Sequence, residues 1–357
     1  MRIVQIVDSL EVGGAERMAI NYANALSSKI IFSGLVVTRK EGNLKSKIEK
    51  DVNYLFLNKK KTIDWRAVLK LKAYCKENNV EILQPHSSSY FIAFLVKLIY
   101  PKIQIVWHDH NGLSEFLSSQ KWIPLKIASY FFKGIIVVNY QLKNWAITEL
   151  NCKRVIYLPN FTNKEAETNS ETVLKGNSGK RIICLANLRH QKNHLLLINV
   201  AKRLVKTYPD WSFHLVGKDF QDDYSRKLKQ TIDENNLADT IFLYGSRNDV
   251  AAIINQSEIG ILTSRSEGLP IVLLEFGLHK KAIVFTNVGE IPLIVQHKTN
   301  GLLVPSENDD LFYDSIISLI KNPQIREQLG VALFNTIMKN NSEELVLDNY
   351  FKWLKEI

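Results

Sequence analysis

The sequence predicts an α/β protein made of two doubly wound halves that face each other across a cleft. Its 357 residues exceed one ordinary core and suit two domains of about 150 to 200 residues each. Short β-branched or apolar runs alternate with longer helical patterns along the whole chain. That alternation lapses once, over Thr162 to Lys180, and then restarts. Strand, helix, strand repeated in this way implies parallel sheets covered by helices on both faces.

The first half reads, in order, "RIVQIV", the helix "GGAERMAINYANALSS", "IIFSGLVVT", the helical "WRAVLKLKAYCKENN", "EILQP", "FIAFLVKLI", "IQIVW", "GIIVV" and "RVIYLP". The connector "TNKEAETNSETVLKGNSGK" is filled with Asn, Ser, Thr, Glu and Gly. The second half follows with "RIICLANL", a helix over about 193–206, "WSFHLVG", a helix over about 224–235, "IFLYG", "EIGILTS", a helix over 270–280, "AIVFT" and "GLLVP". We place the first domain at 1–163, the linker at 164–180, the second domain at 181–340 and a terminal helix at 341–357.

Composition narrows the function. A hydrophobic content of 46% with 23% charged residues describes a globular protein. "MRIVQIVDSL" carries no cationic leader with a long apolar core, so a cytoplasmic location is expected. Cys75, Cys152 and Cys184 are widely spaced, match no metal-ligand pattern and read as small buried residues. "YFIAFLVKLIYPKIQIVW" is broken by Lys97 and by Pro101 and Lys102, which leaves no membrane span. The net charge of +10 suits anionic lipid or phosphorylated small molecules. No nucleic-acid-binding signature accompanies it, so nucleic acid is not an expected partner.

In open parallel sheets, ligands bind outside the carboxyl ends of the strands, so the loops after strands are the candidate site. Gly13 and Gly14 precede the first helix, where backbone can approach an anion, although a plain turn explains them equally well. "IQIVWHDHNG" empties a strand into His108 and His110, useful for bonding sugar hydroxyls or moving a proton near neutrality. "LANLRHQKNH" puts Arg189 and Lys192 at a strand end, two cations that suit a diphosphate. Gly217 and Gly245 end two further strands, where a base or ribose can lie against backbone.

In "SRSEGLPIVLLEFG", Pro270 suits the first helical position. Glu267 then lies in the loop before the helix, beside Gly268 and Leu269, and Glu275 lies in its second turn among apolar residues. A carboxylate buried there is costly unless donors satisfy it. Protein groups or paired ribose hydroxyls would serve. Glu267, near the free N–H groups of the helix start, would meet the sugar end of a nucleotide sugar.

Glu267 to Glu275 resembles the E-x7-E motif of family 4 retaining glycosyltransferases, and "GGAER", "HDHNG", "LPNF", "NLRHQKNH" and "NVGEIPLIVQHKTNGLLVP" extend the resemblance over nearly the whole chain. It implies the GT-B architecture, two facing Rossmann-like domains with an interdomain cleft and a last helix that crosses back to the first domain. It also implies transfer of a sugar from a UDP- or GDP-sugar with retention of configuration, and no cofactor or metal. By position, Gly13 and Gly14 would approach the donor phosphates and His110, preferred to His108 on spacing, the transferred sugar. Arg189 and Lys192 would neutralise the leaving diphosphate, Glu267 would bind the sugar, and Glu275 the ribose. Gly217, Gly245, Gly268 and Leu269 would complete the donor site.

The chain departs from the family pattern at Ala186 and Asn187, where Gly-Arg is common, and at Glu290 and Leu293 in "GEIPL". Family acceptors are often lipid-linked glycans of surface polysaccharide, lipopolysaccharide or capsule. "SSQKWIPLKIASYFFKG" carries the cations and aromatics of a helix lying on an anionic membrane, or equally of a core helix with solvated lysines. A non-hydrolysing sugar-nucleotide epimerase shares the architecture but would not show E-x7-E, and a non-catalytic sugar-nucleotide-binding protein would bind without turnover. A Rossmann dehydrogenase would need G-x-G-x-x-G after the first strand, which "SLEVGGAER" lacks.

Overall fold

The computed structural model describes residues 1–110, 123–161 and 171–357. Part of the expected connector, residues 162–170, lies outside them, as do Lys121 and Trp122 of the expected interfacial helix. The chain divides into two compact units: Met1–Phe161 together with Glu343–Ile357, and Thr162–Ser342.

In the first unit β1 (Arg2–Ser9), β2 (Phe32–Lys40), β3 (Asn53–Phe56), β4 (Ile82–Pro85), β5 (Gln104–Asp109), β6 (Gly134–Val137) and β7 (Val155–Tyr157) form one sheet in the order β3-β2-β1-β4-β5-β6-β7. Every neighbouring pair is parallel. Consecutive residues such as Ile3 and Val4 are both fully buried, because helices cover both faces. Those helices are α1 (Gly14–Ser27), α2 (Trp65–Glu77), α3 (Tyr90–Ile99), α4 (Ile123–Ala128) and α5 (Tyr140–Glu149). The starts of α2 and α5 are capped by Asp64, which accepts from the Ala67 N–H at 3.2 Å, and by Asn139, which accepts from that of Leu142 at 2.7 Å. "FIAFLVKLI" falls in α3, a helix apolar enough that periodicity hides its buried side of Ile92, Ala93, Leu95 and Val96. Strand order reverses between β1 and β4, so the loops after these two strands diverge and leave room at the sheet's carboxyl edge.

The second unit repeats the plan. Its strands β8 (Arg181–Leu185), β9 (Ser212–Val216), β10 (Ile241–Gly245), β11 (Ile259–Leu262), β12 (Ala282–Thr286) and β13 (Leu302–Val304) are parallel in the order β10-β9-β8-β11-β12-β13. The reversal lies between β8 and β11. Helices α6 (His194–Thr207), α7 (Asp223–Glu234), α8 (Val250–Asn255), α9 (Ile271–Leu278), α10 (Ile291–Ile294), α11 (Asp309–Lys321) and α12 (Pro323–Asn340) flank the strands in sequence.

Two boundaries differ from expectation. The helix expected over 270–280 is α9, two residues shorter at its far end: Pro270 caps it in extended geometry (φ −70°, ψ 126°), and Lys280 turns left-handed (φ 53°). The connector is already part of the second unit from residue 171. There Asp249 accepts the N–H groups of Glu171 at 2.9 Å and Thr172 at 2.7 Å, and Leu174 enters the core. The last helix, α13 (Glu343–Glu356), belongs to the first unit, where the Trp353 ring covers Gly134 of β6 so closely that a Cβ on the glycine would lie 2.5 Å away.

Candidate functional site

In the second unit the loops after β8 and β11 leave the sheet at the switch point and bind each other. The Arg265 N–H donates to the Gln191 carbonyl at 2.8 Å, the Gln191 amide to the Ser266 carbonyl at 2.6 Å, and the Thr263 hydroxyl to the Lys192 carbonyl at 2.9 Å. This stitching aims Lys192 at Glu267: Nζ lies 2.5 Å from Oε1, and the Ser264 hydroxyl donates to the same oxygen at 2.5 Å. The Glu267 side chain is only 7% exposed, so its charge depends on these two donors. A third loop, after β12, backs the arrangement. Gly289 there has φ +58°, and a Cβ on it would fall 1.9 Å from the Glu267 carbonyl oxygen.

The two cations expected to share a diphosphate have different partners, Glu267 for Lys192 and Phe220 for Arg189. Arg189 is exposed and extended (φ −132°, ψ 148°), and its guanidinium stacks 4.7 Å over the Phe220 ring. Both belong to one tight turn, closed by the Lys192 N–H on the Arg189 carbonyl at 2.9 Å. Lys218 reaches the same Phe220 ring at 5.1 Å, giving Arg189 a different basic neighbour. Gly217 and Gly245 do meet: the Gly217 N–H donates to the Gly245 carbonyl at 3.0 Å, and a Cβ on Gly217 would lie 2.1 Å from the Ala186 carbonyl oxygen. Both line a cavity of about 320 Å³ with Leu188, Tyr244 and the Asp219–Lys229 ion pair.

Glu275 corrects the picture of a carboxylate enclosed on all sides. Val272, Glu275 and Leu278 recur every three residues on the half-buried face of α9, while Leu273, Leu274 and Phe276 take the core. Gly268 and Leu269 lead into the helix; Leu269 is buried, and the Gly268 carbonyl accepts the Glu290 N–H at 3.3 Å.

In the first unit the corresponding edge holds a cluster of rings. His86 follows β4, His108 lies in β5 and His110 comes just past it. The His86 and His110 rings are joined Nδ1 to Nε2 at 2.8 Å, and Nε2 of His86 meets Gln5 Oε1 at 2.8 Å. His108 Nδ1 meets Gln84 Nε2 at 3.2 Å. Burial holds His110 down to about 3 and His86 and His108 well below the usual imidazole range, so all three rings are neutral near pH 7. His108 is sealed under Tyr22, with centroids 5.3 Å apart, while His110 is half-buried. Among the described residues these three rings are also the one grouping with metal-ligand reach, their nitrogens within 4.8 Å of one another. Those nitrogens are mostly engaged with each other and with Gln5 and Gln84.

Gly13 precedes α1 in extended geometry that any residue adopts (φ −161°), and Gly14 is the helix's first residue. The Glu16 carboxylate stands beside Gly13, so this helix start already faces a negative group. His86, Gln5, Gln84 and Ser264 carry no motif of their own in the sequence. A polar residue in the middle of an apolar strand, as in "IVQIV" and "EILQP", was the available signal.

The family described as Glycosyltransferase Family 4 matches residues 12–166, and Glycosyl transferases group 1 matches residues 165–333. The chain belongs to this glycosyltransferase family. It is 27% identical to an Escherichia coli O-antigen biosynthesis glycosyltransferase, WbnH, over 99% of this chain and 97% of that protein. A UDP-Gal:alpha-D-GlcNAc-diphosphoundecaprenol alpha-1,3-galactosyltransferase, also from Escherichia coli, is 22% identical over 82% of this chain and 77% of its own. The Anabaena protein HepE, solved in complex with UDP and glucose, is 17% identical, with a TM-score of 0.82 and full coverage of both chains. The glycosyltransferase therefore has the GT-B fold of two Rossmann-like domains.

One surface of the glycosyltransferase's first unit is apolar. Ile123 (64% exposed), Ile127 (52%), Tyr130 (73%) and Phe131 (39%) project from α4 and the turn after it, beside exposed Lys126. Among the described residues no helix is long and apolar enough to cross a membrane.

Proposed function

We propose that this glycosyltransferase moves a sugar from a nucleoside diphosphate sugar to a lipid-linked glycan during surface polysaccharide assembly, with retention of anomeric configuration and without a divalent metal. The observation that carries the reading is the Lys192–Glu267–Ser264 constellation at the switch point of the second unit. A buried carboxylate held by a lysine offers a sugar an acceptor for its hydroxyls, and the lysine supplies a fixed positive charge for a departing diphosphate, a task that divalent ions perform elsewhere. The cavity at Gly217 and Gly245 suits the base, with Glu275 on the open face of α9 for the ribose and Arg189 and Lys218 as further positive charge. His110, neutral and half-buried, is the first unit's group for the sugar. The names of the relatives support the donor class and the polysaccharide setting. The exposed α4 patch with its lysine fits an anionic membrane surface, where a lipid-linked acceptor resides.

The test is a thermal-shift screen of the whole chain against UDP, GDP, ADP and CMP and their sugar conjugates, with and without EDTA. Stabilisation by one nucleotide family, unchanged by EDTA, supports the reading, since a ligand of the folded state raises the melting temperature. No stabilisation at millimolar ligand overturns it. NMR of the product's anomeric signal then decides between retention and inversion.

A further inference from the structure

We propose that Tyr350 of the terminal helix α13 is a positioning residue that sets the proton direction in a side-chain chain running through Gln84, Gln5 and His86, and thereby presents His110 Nδ1 as a bare acceptor. The inference deepens the reading of His110 as the sugar-facing group and rests on it.

The chain starts at a buried hydroxyl that lies against one carbonyl. The Tyr350 side chain is fully buried, and its hydroxyl lies 2.6 Å from Gln84 Oε1. Burial keeps the phenol protonated, and at this O···O distance it is the donor. Gln84 therefore turns its carbonyl to Tyr350, and its amide nitrogen faces His108 Nδ1, 3.2 Å away. The Gln84 carbonyl also accepts the Gln5 amide at 3.4 Å, so the Gln5 carbonyl is left to accept from His86 Nε2 at 2.8 Å. His86 then carries its proton on Nε2 and offers the Nδ1 lone pair, and the one partner placed for it is His110 Nε2–H at 2.8 Å. A neutral imidazole protonated on Nε2 has a bare Nδ1, able to accept from a sugar hydroxyl. Reversing both glutamine amides would leave the buried Tyr350 O–H without an acceptor, whereas the assigned direction leaves the buried His108 Nε2–H without one; the 2.6 Å Tyr350–Gln84 contact, short for N–H···O and ordinary for O–H···O, favours the assigned direction.

Four of the five side chains are essentially buried and come from β1, β4, the turn after β4 and α13. Gln5 and Gln84 sit opposite one another in the β1–β4 register at the switch point, so two buried amides in mid-sheet become intelligible as a relay rather than as misplaced polar groups. The terminal helix thereby acquires a role in the first unit's chemistry as well as in its packing.

Long-range proton–nitrogen NMR on the full chain carrying ¹⁵N-histidine reads each ring's tautomer without reference to transfer. The expected result is an Nε2–H signature for His86, His108 and His110. A His110 protonated on Nδ1 overturns the proposal whatever any variant does. In Tyr350→Phe, which keeps the ring in place, Gln84 is released from its fixed orientation. The His108 and His86 tautomers should become mixed, and kcat should fall roughly tenfold with KM for the donor within about twofold. Unchanged tautomers or an unchanged kcat in that variant, folded by its melting temperature, overturn the relay. His110→Ala separates the two ideas: full transfer activity in that variant removes His110 from the reaction, while the tautomers of the unsubstituted chain still report on the relay.

Discussion

Glu267 is the residue where burial, charge and position all bear on chemistry. Its carboxylate is nearly enclosed, and the Lys192 ammonium and Ser264 hydroxyl together make its ionised form tolerable. Replacing it by alanine leaves Lys192, itself 21% exposed, without its partner and should cost about 1 to 3 kcal/mol of stability. On the proposed mechanism Glu267→Ala should also lower kcat by about 10² to 10³ while nucleotide affinity changes by less than about threefold. Lys192→Ala should act the other way, weakening the nucleoside diphosphate by about tenfold or more. Calorimetric titration with the free diphosphate beside transfer assays separates the two. Equal losses in both variants would assign the pair to structure alone. The sequence shows each of these residues at a strand end. Their pairing across 75 positions follows from sheet order, and no spacing rule carries that. His86 and the two glutamines were hidden for the same reason, since the register of β1 against β4 brings them together.

At the scale of elements, the alternation of apolar runs with helical patterns is enough to read two parallel sheets, because a buried parallel strand needs apolar residues on both faces. Element ends are less legible. Pro270 suits either the cap or the first turn, and only the left-handed Lys280 stops α9 where it does. The same turn explains a glycine that the sequence gives no reason to notice. Gly330 lies in mid-α12, where glycine weakens a helix, yet a Cβ there would fall 2.0 Å from the Lys280 carbonyl oxygen. The close approach of α12 to the end of α9 therefore requires it. Gly330→Ala gains helix propensity but must push a backbone carbonyl aside, and we expect a net destabilisation of about 1 to 3 kcal/mol. That corresponds to roughly 2 to 4 °C per kcal/mol in melting temperature for a unit of this size. Since α9 carries Glu275 and follows Glu267, donor affinity should fall in step. A variant as stable as the parent would show that the two helices have room to separate.

For the molecule as a whole, the buried neutral histidines set how stability responds to acid. Burial lowers His194 and His214 to about 4 and His110 to about 3, whereas an unfolded chain takes up these protons near 6.5. The folded form therefore binds fewer protons than the unfolded form below about pH 6.5, and stability falls as pH drops from there towards 4. Asp249, where the upward push of burial is outweighed by hydrogen bonds from Thr172, and Glu307, held down by Arg265, are also lowered, and such carboxylates add to the loss from about pH 5 downward. Loss between pH 6.5 and about 5 is thus a histidine signature, with a slope approaching about 1.4 kcal/mol per pH unit for each ring that stays neutral. His214 is the ring to test, because it takes no part in the Lys192–Glu267–Ser264 constellation; it is bonded to the Ser212 hydroxyl at 2.9 Å and to the hydroxyl of Tyr244, which lines the cavity proposed for the base, at 3.0 Å. His214→Gln keeps a polar group for those partners and removes the titration. Urea unfolding between pH 7.5 and 4.5 should show the second unit's transition with a shallower pH dependence, by about one proton, and the first unit's transition unaltered. An unchanged slope would mean that His214 takes up its proton in the folded protein, through an opening of the β9–β10 edge on which its burial depends.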